Sequence, residues 1–272
     1  MEPADSTEVS AADEIDEEHR AILPNSFNPT IHHRRPSHLK TEHFGLGVYS
    51  DIDSRYVWHG LLSSEGAVWQ PSFTVEYYGV GFNVWANFPL IGGPNQGQFN
   101  EVDFTLYYNK EFKKFTFHTW IYTALYPNGN PTSLDFGVAS LEWDLHISRP
   151  VGPILLFTDL GIRFVSAPGS VFWDVGVGYA KTLPLKFAVE TSASFAIANG
   201  KFTKAHIAET GGTVPYQFEA SLAFPWRPLK GFTVTPKMFI STLLNSTIRA
   251  ATANPTLIWG GVSLSYELGS LR

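Results

Sequence analysis

The residues with the most chemical potential in this chain are carboxylates at two-residue spacing. Asp51 and Asp53, Glu101 and Asp103, and Glu142 and Asp144 each sit at i, i+2 in segments that alternate apolar and polar. Glu76, Asp159, Asp174, Glu190, Glu219 and Glu267 occupy equivalent positions singly, with Arg55, Arg163 and Lys237 as the strong bases among them. In an extended chain, i and i+2 share a face, so Glu142 with Asp144, or Glu101 with Asp103, could bind Ca²⁺. The pairs lack any further ligand spacing, and no dedicated metal site is expected. Nor is a catalytic centre. No Gly-rich phosphate loop, HExxH or GxSxG occurs, and the nine His residues form no ligand pattern. His118 and His146 read as inward polar side chains rather than general bases. With no cysteine there is no thiolate ligand, thiol nucleophile or disulfide. No enzyme activity and no cofactor are therefore expected, which leaves the carboxylates to act collectively as a charged surface.

The elements that carry them have a period of two. Phe115 to Tyr122, Val102 to Tyr108 and Phe187 to Phe195 all alternate, which indicates sheet with two chemically different faces. Dividing at Gly, Pro and Asn clusters predicts twelve strands near 44–60, 70–78, 80–88, 100–110, 115–124, 134–147, 154–165, 171–181, 185–197, 216–224, 231–242 and 256–268. Most exceed the roughly 5–6 residues typical in water and approach the 9–11 that cross a bilayer at a tilt. The connections alternate long (61–69, 89–99, 125–133, 166–170, 198–215, 243–255) and short (79, 111–114, 148–153, 182–184, 225–230). In an up-and-down barrel, successive connections fall on opposite rims, so this alternation makes one long-loop and one short-turn rim, as in outer-membrane barrels. The predicted fold is thus all-β, a single up-and-down antiparallel transmembrane barrel of about twelve strands over 44–272, with an N-terminal extension.

Composition agrees. Of 272 residues, 44% are hydrophobic, 15% aromatic and only 16% charged, while no apolar run reaches the roughly 18 residues of a spanning helix. A net charge of -6 argues against a nucleic-acid partner.

Parity sorts the side chains. Opposite the Phe/Val/Leu/Ile rows sit the twelve carboxylates named above, out of 16 acids after residue 43. The apolar rows contain Phe73, Tyr77, Phe82, Phe104, Phe117, Trp143, Phe164, Trp173, Phe187 and Phe218, more volume than a closed interior holds, and twelve strands enclose a wide lumen. Tyr56, Trp58, Trp69, Tyr126, Tyr179, Trp226 and Trp259 recur near strand ends, where an interfacial girdle is expected. Apolar side chains are therefore expected outward and carboxylates inward. The lumen-lining set is Asp51, Asp53, Arg55, Glu76, Glu101, Asp103, Glu142, Asp144, Asp159, Arg163, Asp174, Glu190, Glu219 and Lys237. Two readings stay open for it. One is a rigidifying network in which Arg55 and Arg163 pair with neighbours such as Asp53 and Asp159. The other is a pathway that attracts cations.

Residues 1–43 stand apart. Glu2 to Glu18 holds eight carboxylates and no Lys or Arg, favouring a short helix or disorder, and Pro24, Pro29 and Pro36 forbid a long element. His32-His33-Arg34-Arg35 reads as a solvated linker. No apolar stretch near Met1 forms a signal peptide, so either the chain is a processed form with an added Met or it is not exported by that route.

One segment resembles a known family. Gly47-Val-Tyr-Ser-Asp-Ile-Asp-Ser54-Arg-Tyr-Val-Trp-His-Gly60, followed by Gln70-Pro-Ser72, is similar to the first hairpin of poorly characterised bacterial outer-membrane β-barrel proteins of the TorF-like porin kind. These carry a Ser-x-Tyr-x-Trp-Arg-Gly signature. Trp85-Ala-Asn87 and Glu101-Val-Asp103 resemble the next elements, and the likeness thins after about residue 145. His59 stands where the pattern has Arg, so no role of that arginine carries over. The chain also lacks the terminal aromatic common in such barrels. The resemblance implies an outer-membrane barrel and no particular substrate.

The expectation is a bacterial outer-membrane barrel in contact with the lipid bilayer, passing small cationic or neutral solutes through a narrow acid-lined lumen. Residues 1–43 would lie on the periplasmic side and could meet envelope partners. Two alternatives remain: a structural or assembly protein with a blocked lumen, whose tail or loops bind partners, and a soluble barrel holding an apolar ligand.

Overall fold

In a computed structural model of the chain, residues 44–92, 95–128 and 140–268 are described. Twelve antiparallel strands form the wall: β1 (Phe44–Asp53), β4 (Val68–Tyr77), β5 (Val80–Pro89), β6 (Glu101–Glu111), β7 (Thr116–Leu125), β8 (Ser140–Val151), β9 (Ile154–Val165), β10 (Val171–Thr182), β11 (Ala188–Ala198), β12 (Val214–Ala223), β14 (Phe232–Leu243) and β15 (Thr256–Leu268). Each pairs with its neighbour in chain order. β1 closes on β15 through partners such as Ile52 and Val262, while β12 pairs directly with β14. Closure leaves no edge whose backbone groups would need water. A thirteenth, short strand, β13 (Trp226–Leu229), adds to β14 at the short-turn rim.

The strands alternate, with a bulge at Tyr216 on β12, and most of the outward side chains are apolar. Val48, Phe73, Leu106, Ile121, Val175 and Met238 are exposed on the wall, whereas Thr74, Thr105, Tyr122, Asp174 and Phe239, each one residue from one of them, are buried. A soluble barrel requires the opposite arrangement. This band suits hydrocarbon, because apolar surface on this scale is unfavourable in water. Phe44, Tyr77, Tyr108, Tyr179, Phe187, Trp226 and Tyr266 ring the short-turn end, and Phe187 stacks on Trp226 with ring centroids 5.8 Å apart. That is the position of an interfacial aromatic belt. Two more Trp side chains on the outer face tie their N–H groups to threonines there, Trp143 to Thr119 at 2.8 Å and Trp173 to Thr158 at 2.7 Å. Neither leaves an unsatisfied donor facing lipid.

The first expected strand, 44–60, ends early. Its wall portion stops at Asp53, and residues 54–67 turn inward, carrying a hairpin of β2 (Tyr56–Trp58) and β3 (Leu61–Ser64). Trp58 pairs with Leu61 across His59 and Gly60, whose φ angles are 46° and 72°. Two consecutive positive φ values make the two-residue turn whose twist matches a hairpin, and the second position favours Gly. The strand-like alternation of Tyr56 and Trp58 masked the turn. Consequently Tyr56, Trp58 and Trp259, assigned to the girdle by sequence, lie inside the barrel: Tyr56 and Trp259 are buried and Trp58 is half-buried.

Two short helices complete the long-loop rim. Asn199 caps α1 (Gly200–His206) by accepting from the Phe202 N–H at 2.9 Å, and Asn245 caps α2 (Ser246–Ala250) by accepting from Thr247 and Ile248. The expected tail, 1–43, and the expected strand start at 134–139 lie outside the described residues.

Candidate functional site: the acid-lined lumen

Alternation fixes what faces the lumen. Asp53, Glu76, Glu101, Asp103, Glu142, Asp144, Asp159, Asp174, Glu190 and Glu219 are buried, each at 5% exposure or less, while Asp51 and Glu267 are half-buried on the same face. Arg163 is buried with them, and the Lys237 side chain is 5% exposed. Arg55, at the root of the hairpin, is half-buried. Among the described residues, twelve inward carboxylates meet three strong bases, an excess of nine. His118 and His146 also face inward and are buried.

The bases do not make the pairs suggested by sequence. Arg163 on β9 donates through Nε at 3.0 Å and Nη2 at 2.8 Å to Glu142 Oε2 on β8, its cross-strand partner, in place of Asp159. Its Nη1 donates to His206 Nε2 of α1 at 2.9 Å, and its guanidinium lies 5.2 Å from the Trp58 ring centroid. One side chain thus joins the wall, the rim helix and the hairpin. Lys237 on β14 sits 3.2 Å from Asp51 and 3.4 Å from Asp53, where the sequence suggested Arg55 for Asp53. Asp159 instead accepts from His146 Nδ1 at 2.7 Å. Asp159 and Asp174 stand directly opposite one another on β9 and β10, both fully buried. Like charges in that position are unfavourable. Glu190 has only a longer pair, 3.8 Å from Arg227 of β13.

Polar and aromatic groups fill the remaining wall. Gln70, Asn87 and Asn100 form a chain of amide hydrogen bonds at 2.9 and 2.7 Å, and Gln217 donates to both Glu219 and Ser241. Tyr107, Trp120 and Tyr122 form a buried inward cluster on β6 and β7. Tyr107 donates to Glu76 at 2.9 Å, and its ring lies over Gly81, where a Cβ would collide with it. Sequence reading sorted the acids by face but not these aromatics, although the parity of Tyr107, Trp120 and Tyr122 was equally available.

The hairpin crosses this lumen at its long-loop end. Tyr56 packs on Val68 and Trp85, and Val57 and Leu62 pack on Phe239, Leu257 and Trp259. At the tip, His59 lies 4.0 Å from the Phe172 ring centroid, and its carbonyl accepts from the Tyr216 hydroxyl at 2.9 Å. Phe202 of α1 and Ile248 of α2 close the same cluster. Wall strands on opposite sides of the barrel are therefore bridged by one inward loop. The only sequence signal for it was the His59-Gly60 dipeptide between paired apolar residues.

No protein-family model matches the chain, and no curated protein sequence matches it. Among solved structures, it is similar to an outer-membrane channel from Pseudomonas putida F1, with TM-score 0.51 and 9% identity over 89% of this chain and 100% of that one. It also aligns with the KdgM porin (TM-score 0.48, 7% identity, 82% of this chain and 98% of that one). A third alignment is with the NanC porin (TM-score 0.46, 12% identity, 82% and 100%). At such identities the likeness concerns the fold: the chain folds as an outer-membrane-type β-barrel.

Proposed function

We propose that this protein is a porin-like channel of the bacterial outer membrane, without enzymatic activity, that passes small cationic or neutral solutes along its carboxylate-lined lumen. The excess of nine inward carboxylates over strong bases carries the reading. Enclosed by low-dielectric walls, such a surface focuses a negative potential that concentrates cations and repels anions. The apolar outer band and aromatic belt suit a bilayer. The segment 54–60, on which kinship with TorF-like porins is proposed, forms the inward hairpin. Its place across the long-loop end makes it the narrow point that a solute must pass. Planar-bilayer recording tests this: cation-selective current supports the proposal, and anion-selective current overturns it.

The hairpin also favours a second reading, a structural barrel with a permanently blocked lumen. Gly60→Val separates the two. A Cβ at Gly60 would meet Ser241 Oγ at 3.0 Å and Leu243 at 3.1 Å, in a residue that already needs positive φ. A channel would conduct before the change and more after it, whereas a barrel blocked by the hairpin would conduct only once the hairpin is loosened.

A further inference from the structure

Charge outside the barrel is as uneven as charge in the lumen, and of the opposite sign. Among the described residues, eight exposed Lys and Arg side chains lie at the short-turn rim, at 110–114, 149, 181–186 and 227–230, against one exposed acid, Glu111. The long-loop rim exposes Lys201, Lys204 and Arg249 against Glu65 and Glu209, which nearly balance. We infer that the outer side of the short-turn rim binds the headgroups of anionic phospholipids in the leaflet it faces, with its centre on the turns 183–187 and 224–231.

The bases continue the lipid-facing side of the wall. Lys110 follows Tyr108 by two residues on β6, and Lys181 follows Tyr179 by two on β10, all four exposed. In a strand such pairs share a face, so each ammonium stands about 7 Å beyond an aromatic of the belt, toward water. That is the level of the lipid phosphates: the ring sits at the interface while the long side chain reaches the headgroup. Lys110 and Lys181 have the parity of the apolar rows, so their charge lies outside the wall and away from the luminal carboxylates. Short turns are periplasmic in outer-membrane barrels, which makes the periplasmic leaflet the one in reach.

Two neighbouring turns add apolar contact. Leu185 is 82% exposed and Leu229 68%, and their turns are tied together by Lys186, which donates to the Pro228 carbonyl at 3.0 Å. Lys181 and Lys230 flank the pair in the chain, and Arg227, 48% exposed, is 3.8 Å from Glu190. Leucines this exposed are unfavourable in water. At a headgroup interface they enter the acyl boundary while the adjoining ammonium groups meet phosphate. The surface is continuous with the apolar band above it, so one bilayer covers both.

The inference rests on the membrane setting and not on conduction. Its test is native mass spectrometry of the full-length protein in a neutral detergent, offered equal amounts of phosphatidylglycerol and phosphatidylcholine with the same acyl chains. Each base near an anionic surface is worth roughly fivefold in binding, so phosphatidylglycerol adducts should outnumber phosphatidylcholine adducts about fivefold or more. Replacing three bases together, Lys181→Gln, Lys186→Gln and Lys230→Gln, should remove most of that preference. Lys201→Gln with Lys204→Gln, at the other rim, should leave it unchanged. High salt should weaken the preference of the unaltered protein, a check that needs no variant. Equal retention of the two lipids would overturn the inference. So would a preference that survives high salt or the triple replacement, or one that falls as far in the Lys201, Lys204 variant.

Discussion

At the scale of single residues, Arg163 joins the wall, the rim helix and the inward hairpin. It satisfies Glu142 through two N–H groups, reaches His206 and lies against Trp58, with Arg163 and Glu142 buried and the other two half-buried. Removing one partner of a buried pair leaves the other charge uncompensated, at a cost of about 3–5 kcal/mol. We expect Arg163→Ala to lower barrel stability by that amount, measured by urea unfolding in micelles. Lys204→Ala should change it by less than about 1 kcal/mol, because the Lys204–Glu209 pair is 65% and 68% exposed. Equal effects would contradict the importance assigned to burial. The partners themselves were not legible in the sequence. Arg163 pairs with Glu142 rather than Asp159 because Glu142 is its cross-strand partner on β8, and register is a property of two strands that neither reveals alone.

At the scale of elements, alternation made the wall readable and also hid its one exception. Strands β6, β7, β9, β14 and β15 fall within about two residues of their expected bounds, since a two-sided strand in a barrel writes both faces into its sequence. The hairpin shares that alternation through Tyr56 and Trp58, and only backbone torsion at His59 and Gly60 separates it from β1. Its inward direction depends on long-range contacts with Tyr216, Phe239 and Trp259. We expect Gly60→Val to leave the barrel folded, seen as retained gel-mobility shift on heating, and to raise single-channel conductance severalfold. Unchanged conductance would show that the hairpin does not set the narrow point. The outer face is tested at mid-strand. Val175, exposed at 44% on β10, should tolerate Arg poorly, losing about 2–4 kcal/mol. Phe44→Arg at the rim should lose no more than about 1 kcal/mol. Folding into lipid vesicles at graded urea measures both, and the reverse order would misplace the membrane.

At the scale of the whole molecule, closure, exterior and lumen are one consequence of a single parity. With apolar side chains outward, every even-numbered acid on β8 and β10 must face inward, and the barrel acquires more negative charge than its own walls neutralise. The sequence made that imbalance visible, because counting by face needs no coordinates. It left the filling invisible: Tyr107, Trp120, Tyr122 and the hairpin narrow a lumen that twelve strands would otherwise leave wide. Charge then decides what can pass. Asp144→Asn, which removes one buried inward carboxylate, should weaken cation preference without reversing it, since most of the acidic surface remains. The direct measurement is the reversal potential of the full-length protein in a planar bilayer under a salt gradient, repeated with Gly60→Val. A potential of cation-selective sign in both is expected, and an anion-selective sign, or no current from either, would contradict the account.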